Sequence, residues 1–272
     1  DAMQGLKDFI PTEMKAEYIN QLLKVGFDTL DFGSFVSPKA IPQLADTAEV
    51  LAGLDLSETN TKLLAIVANR RGAMDACSHE GVDILGYPFS ISNTFQERNT
   101  RRSIEDSVPL VDDIFALANE HQKELVVYLS MGFGNPYGDP WSPDIAAQWA
   151  EHFAKLGVTT IALADTVGTA DPDTIAALFE TLIPRFPEVT FGAHFHASPA
   201  MRLAKIEAAW NSGCRRFDTA MMGFGGCPFA EDDLVGNIAT ESLLAFASEH
   251  DIETGLNGKA LQEAMLLAQG VF

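Results

Sequence analysis

Short apolar runs alternate with amphipathic segments along almost the whole chain. The apolar runs are typical of buried strands, and the segments with apolar residues three and four positions apart are typical of helices. The predicted strands cover residues 27–32, 62–67, 82–89, 124–130, 158–164, 189–196 and 215–220. The predicted helices cover residues 11–25, 45–51, 71–80, 103–118, 142–156, 171–186, 199–211, 234–250 and 258–268, and residues 93–102 are expected to form a polar loop.

This alternation predicts an α/β fold in which helices cover a parallel sheet on both faces. Seven strand–helix units are one fewer than a TIM (β/α)8 barrel contains, so we expect the first strand to lie upstream of residue 1. The chain has no low-complexity linker and no internal repeat. We therefore expect a single barrel domain over residues 1–272, closed by C-terminal helices.

The composition limits the kinds of molecule that the protein is expected to bind and the compartment in which it is expected to occur. The formal net charge of -20 argues against binding to nucleic acid or to an anionic membrane, and no apolar segment is long enough to span a bilayer. The three cysteines are unpaired in spacing, which favours a reducing compartment over a disulfide framework. We expect a cytoplasmic protein, with a targeting segment before residue 1 left open as an alternative.

Polar and glycine-rich residues gather after the predicted strands. In a barrel the carboxyl ends of all the strands share one rim, which carries the active site. The residues expected there are Asp31 and Ser34, 93–102, 132–139, Asp165 with Thr166, His194 with His196, and 223–228.

Two histidines on one strand suggest a metal site. His194 and His196 are two positions apart, so their side chains point to the same face of the strand. Nitrogen and oxygen ligands without paired cysteines favour Mg²⁺ or Mn²⁺, with Zn²⁺ as an alternative. Asp1 and Asn237 could add oxygen ligands. The alternatives are a core and a surface histidine, an exposed terminus at Asp1, and a helix N-cap at Asn237.

Two further residues could take part in chemistry. Cys227 lies in the small-residue stretch Gly-Gly-Cys-Pro, where a thiol would be accessible, or it is an incidental loop cysteine. Asp165 ends a predicted strand and could be an acid or base, a supporting partner of the site, or a cap of the following turn.

Several motifs, taken together, resemble the 3-hydroxy-3-methylglutaryl-CoA lyase family. The family motifs SFVSPK, GDTIG, HCH, GLGGCPYA and GNLATE have counterparts here in SFVSPK (34–39), ADTVG (164–168), HFH (194–196), GFGGCPFA (223–230) and GNIATE (236–241). They occur in the family's order and at similar spacing. Three positions of the sequence depart from the pattern, since Asp31 stands where the family has Glu, Ala197 where it has Asp, and Asn135 where members often have Cys. The family's arginine before the first metal ligand would precede residue 1.

The resemblance implies a metal-dependent TIM-barrel lyase and a set of site residues. The implied metal ligands are Asp1, His194, His196 and Asn237, the implied catalytic and supporting residues are Cys227, Asp165, Glu241 and Gln4, and the implied substrate-binding residues are Asp31, Ser34, Asn99 and Thr166. Cys227 would be an acid/base, and Asp165 would act near the reacting hydroxyl. Asn99, Arg101 and Arg102 could meet the phosphates of coenzyme A, or be ordinary solvated loop residues.

The activity that this resemblance implies is cleavage of 3-hydroxy-3-methylglutaryl-CoA, or a related 3-hydroxy-3-methylacyl-CoA, to acetyl-CoA and a keto acid. A condensing enzyme of the isopropylmalate or homocitrate synthase type is one alternative. A catalytically silent barrel that binds acyl-CoA is another. The resemblance further implies a homodimer.

Overall fold

The computed structural model of the chain describes residues 2–6, 8–226 and 235–272. Of the residues singled out above, Asp1 and Cys227 lie outside the described residues. Among the described helices, none has both the length and the apolar character needed to cross a bilayer.

Seven strands form one curled parallel sheet with a TIM-barrel-like fold, as the sequence predicts. The strands are β1 (Thr29–Ser34), β2 (Lys62–Ile66), β3 (Ile84–Ser90), β4 (Glu124–Ser130), β5 (Thr160–Asp165), β6 (Thr190–Phe195) and β7 (Arg216–Asp218). Each strand pairs with the next along the chain. Within the described residues β1 and β7 are the two edges of this sheet, and an eighth strand between them stays a prediction.

Helices connect the strands and pack on the outside of the sheet. They are α1 (Thr12–Leu23), α2 (Thr47–Ala52), α3 (Arg70–Ser78), α4 (Asn93–Thr100), α5 (Ile104–Glu120), α6 (Pro143–Leu156), α7 (Pro172–Arg185), α8 (Arg202–Asn211), α9 (Thr240–Glu249) and α10 (Gly258–Val271). Short 3-10 helices cover Ala2–Gly5, Pro42–Leu44 and Met221–Gly223. Ser103 caps α5, because its side chain accepts a hydrogen bond from the backbone N–H of Asp106.

Three apolar clusters stabilise the described residues, and one of them packs α1 against α10. The largest forms an outer layer between the sheet and its helices and contains most of the buried aliphatic and aromatic side chains. A smaller layer fills the inside of the barrel with Leu64, Ile84, Val126, Tyr128 and Ala162. These residues alternate along their strands with residues of the outer layer, as the two-residue period of a strand requires. The inner layer leaves the carboxyl ends of the strands open for a site.

Two local expectations were wrong. The polar stretch after β3 is the helix α4, which begins after Ser92 because the Ser92 hydroxyl accepts a hydrogen bond from the N–H of Phe95. The helix expected over 234–250 begins only at Thr240, since the preceding residues bridge to strand ends. At the start of α1, Pro11 takes the N-cap position and Thr12 is the first helical residue.

Candidate active site

A cavity of about 700 Å³ opens at the carboxyl ends of the strands. It brings together most of the residues that the motifs single out. The lining includes Gln4, Asp31, Ser34, Asn99, Thr166, His194, His196 and Asn237. Two of the described candidates, Asp165 and Glu241, do not line it.

The two histidines lie side by side, with ring centroids 5.6 Å apart. The Nδ1 atom of His194 lies 3.1 Å from a carboxylate oxygen of Asp218, and Nδ1 of His196 lies 2.9 Å from the backbone oxygen of Thr166. Both oxygens accept a hydrogen bond from Nδ1–H, so in the neutral form of each ring Nε2 keeps its lone pair. Such partners are the usual means of orienting imidazoles that bind a metal.

The His196 ring is electrically neutral at neutral pH. It is 4% exposed, and burial together with the neighbouring His194 lowers the pKa of His196 to about 4. A neutral imidazole is the form that coordinates a metal ion. His196 therefore needs no deprotonation step before it can act as a ligand.

Asn237 lies opposite His196 in a short antiparallel bridge. Its side-chain amide donates to the backbone oxygen of Phe224 at 2.7 Å, so the amide oxygen is the atom that could coordinate a cation. Gly225 has a φ of +83°, and a Cβ there would lie 2.8 Å from the backbone oxygen of Ala2 and 3.0 Å from the Asn237 amide nitrogen. The glycine thus permits this close approach. The interpretation of Asn237 as a helix N-cap is wrong, because Ala239 precedes α9.

Ser34 and Asp31 bring oxygen atoms to the cavity from β1. The Ser34 side chain is 3% exposed, and its hydroxyl has no hydrogen-bond partner among the described residues. An orphaned hydroxyl on a cavity wall is suited to a bound ligand. Burial, and after it the negative charge of Asp218, raises the pKa of the half-buried Asp31.

Asp165 faces away from the cavity. Because side chains alternate along a strand, its neighbours Ala164 and Thr166 line the cavity while Asp165 contacts Lys205 of α8. Of the three sequence interpretations, two fit this geometry. Asp165 supports the site through Lys205, and it caps the following turn by accepting hydrogen bonds from the N–H of Ala170 at 3.2 Å. A direct acid or base role does not fit a side chain that faces away from the cavity.

Glu241 and Thr166 accept hydrogen bonds from backbone N–H groups around the site. The Glu241 carboxylate accepts hydrogen bonds from the N–H of Met222 at 2.9 and 3.1 Å. The Thr166 hydroxyl accepts one from the N–H of Met131 at 2.8 Å. Glu241 thus steadies the short helix after β7, and Thr166 joins the ends of β4 and β5.

Sequence reasoning missed three residues inside the barrel. Tyr128 stacks edge-on against the His194 ring at 5.2 Å, and Arg216 and Asp218 on β7 form an ion pair at 3.0 Å. For Arg216 and Asp218 the signal was present in the predicted strand 215–220, where these two charged residues lie two positions apart and so on one face. Charges in such a pattern on a buried strand indicate a polar interior.

Three cations stand at the mouth of the cavity. Lys39, Arg101 and Arg102 are exposed, and all three line it beside Asn99 of α4. In a chain with a net charge of -20, a local group of cations is a distinctive feature. It is suited to the phosphates of an anionic ligand.

The described residues fit a divalent ion without completing its site. No cluster of three His, Cys, Asp or Glu side chains suited to a metal occurs within 2–6, 8–226 and 235–272. Two imidazoles oriented through Nδ1 and one amide oxygen are present, and the fourth expected ligand, Asp1, lies outside those ranges. This donor set of nitrogen and oxygen atoms is one that borderline and hard divalent ions accept.

Comparison with known proteins places this geometry in a family. A (R)-citramalyl-CoA lyase of Chloroflexus aurantiacus is 33% identical, over 96% of this chain and 84% of that protein. A 3-hydroxy-3-isohexenylglutaryl-CoA/hydroxy-methylglutaryl-CoA lyase of Pseudomonas aeruginosa is 31% identical, over 97% of this chain and 87% of that protein.

Solved structures agree. An HMG-CoA lyase from Acinetobacter baumannii, solved with coenzyme A and 3-methylmalate, has a TM-score of 0.92 and 32% identity, over 100% of this chain and 88% of that one. The HMGL-like family model matches residues 1–267. The chain therefore belongs to the HMGL-like family of lyases.

Proposed function

We propose that residues 1–272 act as one catalytic (β/α)8-barrel domain. Its reaction is the divalent-metal-dependent cleavage of 3-hydroxy-3-methylglutaryl-CoA, or a related 3-hydroxy-3-methylacyl-CoA, to acetyl-CoA and a keto acid. The observation that carries the proposal is the pair His194 and His196, oriented through Nδ1 at the wall of a cavity. That cavity also holds the orphaned hydroxyl of Ser34.

The metal would be held by His194, His196 and Asn237, together with Asp1. Mg²⁺ and Mn²⁺ suit the oxygen ligands, and Zn²⁺ is the alternative that two imidazoles also accept. A bound divalent ion would supply Lewis-acid polarisation of the substrate's hydroxyl and carboxylate oxygens.

The protein's own residues would handle the protons. In retro-Claisen cleavage the tertiary hydroxyl loses its proton, the bond between C2 and C3 breaks, and its electron pair forms the enolate of acetyl-CoA. We assign the proton acceptor to Asp31, because it is on the cavity wall and its raised pKa makes it a better base. We assign Asp165 a supporting role instead, because it does not line the cavity and pairs with Lys205.

Cys227 would then protonate the enolate carbon, which gives acetyl-CoA. This assignment rests on the resemblance of residues 223–230 to the family's cysteine loop. Ser34 and Thr166 would bind the acyl portion, while Gln4 and Glu241 would support the ligands. Lys39, Arg101 and Arg102, with Asn99, would bind the phosphates of coenzyme A at the mouth.

A substrate panel tests the proposal. Relatives named for hydroxymethylglutaryl-CoA, isohexenylglutaryl-CoA and citramalyl-CoA lyases are similarly distant from this chain, so these three acyl-CoA thioesters form the panel. We expect Mn²⁺-dependent release of acetyl-CoA from one or more of them, lost in Cys227→Ala and retained in Cys77→Ala, a buried cysteine of α3. Binding of all three without turnover would favour the silent barrel instead.

A further inference from the structure

A charged side chain lies inside the barrel because a glycine makes room for it. Arg216 on β7 pairs in register with Gly192 on β6. A Cβ atom at Gly192 would lie 2.6 Å from Nη1 of Arg216 and 3.2 Å from its Cδ and Cγ atoms. The Arg216 side chain is 19% exposed and lines the cavity. Any side chain at Gly192 would displace the guanidinium.

Arg216 reaches His194 through one carboxylate. Its Nη1 atom lies 3.0 Å from Oδ1 of Asp218, and Oδ2 of the same carboxylate lies 3.1 Å from Nδ1 of His194. The ring of Tyr128 packs edge-on against the other side of this arrangement, at 5.2 Å from the His194 ring. Arg216 thus contacts the carboxylate that holds the His194 ring.

The carboxylate of Asp218 needs a cation at this place. It is largely buried, and the half-buried carboxylate of Asp31 shares its surroundings. One oxygen of Asp218 lies 3.0 Å from Nη1 of Arg216, which is the cation that balances it. Without the guanidinium, two like charges would face each other at the floor of the cavity.

We propose that Arg216 is a positioning residue for His194. It holds Asp218 so that Oδ2 accepts a hydrogen bond from Nδ1–H of His194, and Nε2 would then keep its lone pair for the proposed metal. Gly192 contributes to this positioning, since it provides the space for the guanidinium. The inference rests on the proposed metal site at His194 and His196.

Metal affinity and the imidazole tautomer test this role without a measurement of turnover. Calorimetric titration of the metal-free protein with Mn²⁺ gives the affinity, and long-range ¹H–¹⁵N spectra show which ring nitrogen of His194 carries the proton. We expect Arg216→Met to weaken Mn²⁺ binding about 10- to 100-fold, the range typical of lost partners of metal ligands. The spectra should change from the Nδ1–H tautomer to a mixture, and Arg216→Lys should recover most of the affinity.

A second variant keeps the test decisive if Arg216→Met does not fold. Arg216→Met leaves Asp218 without its cation, whereas the double variant Arg216→Met/Asp218→Asn removes both charges. The double variant should fold and still bind Mn²⁺ weakly, because an amide can present either its oxygen or its nitrogen to His194. Lys62→Met is the matched control, since it breaks an exposed ion pair with Glu124 between β2 and β4 and should leave Mn²⁺ binding unchanged.

The outcomes separate the two proposals. If the wild-type protein binds no Mn²⁺, the metal site itself is wrong. If the wild type binds Mn²⁺ and both Arg216 variants bind it equally well with the Nδ1–H tautomer retained, Arg216 has no positioning role. Variants that keep the Mn²⁺ affinity but lose affinity for acyl-CoA would make Arg216 a substrate contact, which would also overturn the inference.

Discussion

The ammonium group of Lys205 lies 2.5 Å from a carboxylate oxygen of Asp165, and both side chains are at most 2% exposed. The same ammonium donates to the backbone oxygens of Gly168 at 2.9 Å and His196 at 3.0 Å. Lys205 on α8 therefore ties together the segments that follow β5 and β6. One of these segments carries Thr166, whose backbone oxygen orients His196, and the other carries His196 itself.

Removal of the Lys205 charge should destabilise the fold strongly. Lys205→Met would leave Asp165 as a buried carboxylate without its cation, which typically costs about 3–5 kcal/mol of unfolding free energy. Urea denaturation followed by circular dichroism measures this loss. The double variant Lys205→Met/Asp165→Asn removes both charges and should recover a large part of it.

An exposed ion pair provides the control for this experiment. Lys62 and Glu124 are about half exposed, so Lys62→Met should cost less than about 1 kcal/mol. A Lys205→Met loss as small as that of Lys62→Met would show that the buried pair does not hold these segments.

A side chain at Gly192 should destabilise the fold, because the Arg216 side chain occupies the space next to it. Gly192→Ala brings a Cβ to 2.6 Å from Arg216, and overpacking of this kind costs about 1–3 kcal/mol. The double variant Gly192→Ala/Arg216→Ala lacks the clashing side chain. Thermal unfolding should therefore show that Gly192→Ala lowers stability less in the Arg216→Ala protein than in wild type. Gly258, at the start of α10 with open space around it, is the control, and its change to Ala should be neutral or stabilising. Additive effects of the two substitutions would contradict the contact.

The sequence predicted the order of the strands and placed His194 and His196 on one face. Both features follow from local patterns, namely alternation along a strand and the regular exchange of strands and helices. The rings do lie 5.6 Å apart at the end of β6. The sequence pattern was thus enough to predict features that depend only on residues close together in the chain.

The sequence did not reveal the charged pairs. Asp165 and Lys205 are 40 positions apart, and one sequence without relatives does not show that α8 brings them together. Arg216 was hidden for a different reason, because its space comes from the absent side chain of Gly192 on a neighbouring strand. The helix α4 was missed because few of its residues are apolar. Its start depends on the Ser92 cap, and its position depends on the packing of the buried Phe95.

Acid should weaken the fold through His196. Its pKa is about 4 in the folded protein against about 6.5 for an unperturbed histidine, so between these values the unfolded state binds more protons. The contribution is fully present above pH 6.5 and is lost as the pH falls, by roughly 3 kcal/mol at pH 4. Urea titrations of metal-free protein at several pH values should show a shallower pH dependence for His196→Asn than for wild type. His121→Asn, at the end of α5, is the control, and equal slopes for all three proteins would contradict the burial of a neutral His196.

The cations at the mouth should act on acyl-CoA binding and not on the chemical step. Arg101→Ala/Arg102→Ala removes two charges beside the cavity, so KM should rise several-fold while kcat changes little. The effect should shrink at high salt, because exposed charges are screened. Lys155→Ala on the outer helix α6 is the control. A fall in kcat with an unchanged KM would place these arginines elsewhere in the mechanism.

Acetyl-CoA formation from 3-hydroxy-3-methylglutaryl-CoA, measured with and without Mn²⁺ on wild type, His194→Ala and His121→Ala, tests the central claim most directly. We predict Mn²⁺-dependent cleavage by wild type and by His121→Ala, with a loss of at least about 100-fold in His194→Ala because a metal ligand is removed. Cleavage that is indifferent to Mn²⁺ after chelation, or that survives in His194→Ala, would contradict a metal-dependent lyase built on the two histidines of β6.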